Sequence, residues 1–328
     1  MRRRQMLAGL AATATTVGWP DPALADPVSA PDIGALALLD ADITNAVPES
    51  TARLTRALTR AWTVYADTRY DELCSQLPAI MGAAEASWAQ AAAGRDGLAA
   101  ILAGSYQLAS ELSIKLGNDP VARVLADRAL TVANASGDAT MIAAASRSVA
   151  IAMRRSGQHE DAVALLIAAA QDLDADTVRA GPDVVAAYGS LLCTAAYSSA
   201  QHGNGSRALH LLGQATEAAR RLDHTRSQGG LRFNATNVAI YKIGVFTALG
   251  ESAAALHHAS SVRPELLPNA ERRARYCIDT ARAWASHGKP DRAHQALRVA
   301  AQHAPQELRR PSVRALTSTL TGALTRRS

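Results

Sequence analysis

Apolar residues recur along this chain at spacings of three and four, in runs long enough for helices and separated by polar breaks, most of which contain Gly or Pro. No stretch sustains strict apolar–polar alternation, so strands are not expected. One spacing organises the pattern. Five times a glycine is followed five residues later by an alanine, and seven residues after that by a small apolar residue. The instances are Gly117/Ala122/Ala129, Gly157/Ala162/Ala169, Gly203/Ala208/Ala215, Gly250/Ala255/Val262 and Gly288/Ala293/Ala300. Seven residues before each glycine stand Ser110, Ala150, Ala196, Ile243 and Ala281. The glycines are 40, 46, 47 and 38 residues apart.

This frame predicts a helix ending at each glycine, because glycine enters the left-handed cap conformation without a Cβ penalty. A second helix follows, with its two small residues on one face where it must approach its neighbour closely. Such a hairpin cannot bury its apolar face alone, so hairpins stack. The frame resembles the tetratricopeptide repeat, with units longer than the usual ~34 residues.

The expected hairpins pair Glu49–Asp67 with Tyr70 to about Ala92, Asp96–Leu116 with Pro120–Ala135, and Ala139–Ser156 with Glu160–Leu173. Next come Asp183–His202 with Ser206–Leu222, Phe233–Leu249 with Ser252–Val262, and Ala270–His287 with Pro290–Ala304. The first hairpin lacks the glycine, so Thr68-Arg69 must turn the chain. Segments 175–182 and 223–231 read as linkers, residues 33–43 as a short helix, and Ser312 to about Arg326 as a capping helix. The fold expected is all-α: a right-handed α-solenoid of about six hairpins with a C-terminal capping helix. It occupies 32–328 as one domain, preceded by a signal-like or linker segment over 1–31.

Composition agrees with close-packed helices: 48% of residues are apolar and only 4% aromatic. The net charge of +5 is spread thinly, with Lys only at 115, 242 and 289, which is weak support for nucleic-acid binding. Cys74, Cys193 and Cys277 are far apart and in apolar contexts, so neither a disulfide framework nor a metal knuckle is expected. At the start, Arg2-Arg3-Arg4-Gln5-Met6-Leu7, an apolar stretch and Ala23-Leu24-Ala25 together read as a twin-arginine export signal cleaved after Ala25. No run is long enough for a membrane span.

No nucleophile elbow, phosphate loop, dinucleotide fingerprint, HExxH or CxxC occurs, so no catalytic residues, metal or cofactor are expected and the chain does not read as an enzyme. What remains is the concave surface lined by the first helix of each hairpin. Its leading candidates are Asn234 and Asn237, with Tyr241 one turn beyond Asn237 on the same face. An Asn amide both donates to and accepts from an extended peptide backbone. The plainer alternatives are a helix cap for Asn234 and a packing-edge role for Asn237. Tyr106, Arg147 and Tyr188 are weaker candidates for the same groove.

Three stretches carry a resemblance beyond the repeat frame. They are Tyr106-Gln107-Leu108-Ala109 through Ala126-Asp127-Arg128-Ala129-Leu130, then Thr236-Asn237-Val238-Ala239-Ile240, then Glu271-Arg272-Arg273-Ala274-Arg275 through Ala281-Arg282-Ala283. Over roughly 50–320 the chain resembles the C-terminal sensor region of actinobacterial XRE-type helix-turn-helix transcriptional regulators. The resemblance implies a cytoplasmic sensor that binds a peptide, small molecule or protein in its concave groove, with homodimerisation left open. Members carry a DNA-binding helix-turn-helix ahead of this region. The segment present here is too short for one, so direct DNA binding by this chain is not expected. The other reading is an exported repeat protein serving as an interaction scaffold in the cell envelope.

Overall fold

The computed structural model describes residues 46–92, 94–173, 181–222 and 233–325. The expected export signal or linker, the 33–43 helix, the 223–231 loop and nearly all of the 175–182 linker lie outside those residues. The described residues form thirteen α-helices and two short 3-10 turns, with no strand among them.

The helices are α1 (Thr51–Ala66), α2 (Tyr70–Gln90), α3 (Arg95–Leu116), α4 (Asp119–Ser136), α5 (Ala139–Arg155), α6 (His159–Asp172) and α7 (Pro182–Gln201). They continue as α8 (Gly205–Arg220), α9 (Ala235–Ala248), α10 (Ser252–Ser260), α11 (Ala270–Ser286), α12 (Pro290–His303) and α13 (Pro311–Thr325). Consecutive helices pack as six antiparallel hairpins, and α13 closes the C-terminal end. Each odd-numbered helix from α1 to α11 also packs on the next odd-numbered one, which makes an inner layer of first helices.

All five frame glycines take the left-handed conformation, with φ between 72° and 82°. Each turn is tied the same way. The glycine N–H donates to the carbonyl three residues back, and the next N–H donates to the carbonyl five residues back, as in Gly157 to Arg154 (3.1 Å) and Gln158 to Met153 (2.9 Å). The first hairpin makes its turn through Thr68, at φ 60°, an uncommon conformation for a β-branched residue. The small residues of the frame are buried, among them Ser110, Ala150, Ala196, Ala122, Ala162, Ala208, Ala255 and Ala293. Hairpin five departs most. It places the larger Ile243 where the others have Ser or Ala, and α10 ends at Ser260, before Val262.

Five apolar clusters run along the stack among the described residues: one across α1–α4 that reaches α5, one from α5 to α9, one joining α11, α12 and α13, and two smaller ones that link α9 to α11. Two glycines admit aromatic rings between helices. A Cβ on Gly189 of α7 would stand 2.1 Å from the Phe233 ring, and one on Gly244 of α9 would stand 3.1 Å from the Tyr197 ring.

The ends of the stack meet. Lys115 of α3 reaches Glu271 of α11 at 2.8 Å and Glu307, in the 3-10 turn Pro305–Arg309, at 2.5 Å. Tyr70, at the start of α2, donates its hydroxyl to Glu307, and its backbone N–H donates to Gln306 Oε1 at 2.6 Å. Arg309 pairs with Asp71 at 3.0 Å. The inner layer is thereby drawn around an axis, and the first helices face one another across it.

Candidate ligand-binding site on the inner face

The group at the centre comes from five first helices, α3, α5, α7, α9 and α11. Arg147 on α5 donates through Nε to Thr194 Oγ1 on α7 at 3.2 Å, and its Nη1 lies 3.5 Å from Glu111 Oε1 on α3. Thr194 Oγ1 lies 3.4 Å from the Tyr241 hydroxyl on α9. Two turns beyond Arg147 on the same face, Arg154 lies over the Tyr197 ring, 4.9 Å from its centroid. From α11, Arg275 meets Asp279 at 2.5 Å, and Arg282 meets the other oxygen of the same carboxylate at 2.8 Å.

These groups feel one another. Burial would push the Tyr241 phenol up, but Arg147 and Arg275 override it and hold the phenol below its ordinary value. Burial drives the Arg154 guanidinium down to about 10; Arg275 and Arg155 add to that, and the Tyr197 and Tyr241 hydroxyls oppose it. Arg275 goes the other way, raised chiefly by Asp279. Beside them the Cys193 thiol is buried and pushed up to about 12, which leaves it protonated and unreactive at neutral pH.

The six residues expected to line the groove do not all gather here. Arg147 and Tyr241 do, joined through Thr194. Asn234 is the N-cap of α9: its Oδ1 accepts from the Asn237 N–H at 2.9 Å. Asn237 is half-buried on the first turn of α9, one turn before Tyr241. Tyr188, on α7, is half-buried against the second apolar cluster. Tyr106 points to the other layer. Its hydroxyl donates to Glu85 of α2, and Arg128 of α4 lies 5.9 Å from its ring, so it belongs with the second helices.

Sequence reasoning did not single out Glu111, Arg154, Thr194, Tyr197, Arg275 or Asp279. A usable signal was present. Counted back from each turn glycine, Glu111 and Tyr197 stand six residues before it, and Thr194, Tyr241 and Asp279 nine before it. Positions three residues apart share a helix face, so aligning the hairpins on their glycines reveals the inner stripe. Among the described residues, no group of three or more His, Cys, Asp or Glu is placed to hold a metal ion.

No family model matches this chain, and no curated protein matches it in sequence. Solved structures do match in fold. The apo form of RapI aligns with a TM-score of 0.54 at 14% identity, over 84% of this chain and 91% of that one. A Rap protein complexed with Competence and Sporulation Factor aligns with a TM-score of 0.56 at 12% identity, over 88% of this chain and 72% of that one. Identities this low speak to the fold alone. Together with the six capped hairpins, they make this chain an α-solenoid of tetratricopeptide-like helical repeats.

Proposed function

We propose that this chain is a non-enzymatic binding module, a regulatory sensor that takes a peptide, small molecule or protein ligand on the inner face of its solenoid. The observation that carries this is the convergence of Arg147, Thr194, Tyr197, Tyr241 and Arg275 from four different helices on one axis. A cluster of polar and aromatic groups inside a repeat array does not help it pack, since each group must be desolvated. It does suit recognition, where a few placed polar groups orient a ligand between apolar walls. The fold likeness adds support, since one protein of this fold is complexed with a factor, Competence and Sporulation Factor.

In this reading the XRE-type sensor resemblance carries over. Residues 32–328 form the sensing domain, residues 1–31 a linker, and the protein acts in the cytoplasm. No helix among the described residues is long and apolar enough to cross a membrane. A second reading rests on Arg2-Arg3-Arg4 and Ala23-Leu24-Ala25, which favour an exported scaffold whose mature chain begins at Asp26.

The groove assignment is tested on protein purified from its own host, with low-mass species co-eluting in gel filtration identified by mass spectrometry. Asn237→Ala should keep wild-type helicity and melting and lose the co-eluting species. Equal retention by wild type and Asn237→Ala overturns the assignment of Asn237 to the groove.

A further inference from the structure

The inner face carries more positive charge than it answers. Arg147 has Glu111 at 3.5 Å, while Arg275 and Arg282 share Asp279 at 2.5 and 2.8 Å. Arg154 has no carboxylate partner among the described residues. The contact described for its guanidinium is the face of Tyr197, whose ring fits against the missing side chain of Gly244. Three of the four guanidiniums thus share two carboxylates, and the fourth has none. Arg155, next along α5, is spent elsewhere on Asp119 at 2.5 Å. A partly desolvated cation without a counter-charge is costly, and such a group is normally paired or neutralised.

We propose that Arg154, over Tyr197 and two turns along α5 from Arg147, is the seat for a carboxylate of the ligand, an inference that rests on the peptide-binding form of the reading above. A guanidinium presents parallel N–H donors that match a planar carboxylate, so one ionised carboxyl supplies the missing charge and a directed pair of hydrogen bonds. Tyr197 closes one face of the guanidinium and leaves its edge for the ligand. Thr194 and Tyr241 stand close by to receive polar atoms of the same ligand. The site therefore selects by charge first and by shape second. A ligand whose carboxyl is capped leaves Arg154 unanswered and loses its main advantage over water.

The test uses the full chain, unfolded in urea and refolded so that any carried molecule is removed. Wild type, Arg154→Gln and Arg154→Lys are each mixed with libraries of short random peptides, and retained peptides are read by mass spectrometry after gel filtration. One library has free C-terminal carboxyls and no acidic side chains. A second is C-terminally amidated and contains Asp and Glu. A third is amidated and has no acidic residue. Wild type should retain peptides from at least one of the first two, and which of them tells whether the carboxylate is terminal or on a side chain. Arg154→Gln should retain about tenfold less or below, the loss of one charge-assisted contact, and Arg154→Lys should fall between.

Equal retention of the third library, or equal retention by Arg154→Gln, overturns the carboxylate seat and leaves peptide binding standing. Succinate is the parallel probe. If no peptide is retained but succinate raises the melting temperature of wild type and not of Arg154→Gln, the seat stands and peptide binding falls. If neither peptide nor succinate binds, both fall. Circular dichroism of each variant separates loss of binding from loss of fold.

Discussion

Two regions of this protein hold charge away from water, and they are built on opposite principles. At the seam where the ends of the solenoid meet, each oxygen of the two buried carboxylates faces a donor or a cation. Glu307 Oε1 takes Lys115 and the Tyr70 hydroxyl, and its Oε2 takes Arg310 at 2.8 Å. Glu271 Oε1 takes Lys115, and its Oε2 has Arg272 at 3.4 Å. On the inner face, Arg147, Arg275 and Arg282 share two carboxylates and Arg154 rests on an aromatic ring. Satisfied buried charge holds a particular geometry, and unsatisfied charge in a protein interior marks a place for something else. The contrast sets the paired charges of the seam apart from the inner face, where the proposed ligand would bind.

The largest effect that bears on this comparison is expected at the seam. Lys115→Met removes one cation from between two buried carboxylates and should destabilise the fold by ~3–5 kcal/mol in urea unfolding, because the acids are left facing each other. A loss no greater than that of an ordinary surface substitution would show that the seam is not closed in solution. Acid should reach the seam next. Burial pushes both carboxyls up, but Lys115, with Arg272 for Glu271 and Arg310 for Glu307, pulls them further down, leaving Glu271 well below its ordinary 4.5 and Glu307 at about 2. Folded values below unfolded ones mean stability that is present above pH 4.5 and is lost as the pH falls toward 2. The slope of unfolding free energy against pH in that window should be steep in wild type and shallower in Glu307→Gln. Parallel slopes would place Glu307 in water.

How far the molecule could be read in advance follows the same division between local and distant causes. The six hairpins and the cap were legible because each turn is encoded by a single glycine that must take positive φ, and each close contact by a small residue at a fixed distance from it. Thr68 could be placed in a turn only because it lay between two clear helices, since nothing in its chemistry asks for φ 60°. The seam was not legible. Lys115 and Glu307 are 192 residues apart, and nothing local connects them. The inner face was half legible. Arg147 and Tyr241 were identified from their helices, but Tyr106 was grouped with them although it stands eleven residues before its glycine and Tyr241 nine before its own. Two residues turn a side chain about 200° around a helix, which is enough to send Tyr106 to Glu85 and Arg128 in the other layer.

The smallest expected change is also the sharpest test, because its sign is opposite to that of the seam. The measurement is the unfolding free energy of Arg154→Leu against wild type, both refolded from urea and free of any carried ligand. If Arg154 is kept for a partner that comes from outside, removing it should leave stability within ~0.5 kcal/mol of wild type or raise it, since an unanswered cation leaves the interior. A loss as large as that of Lys115→Met would mean that Arg154 is already paired within the fold, and the inner face would then be structure rather than a binding site.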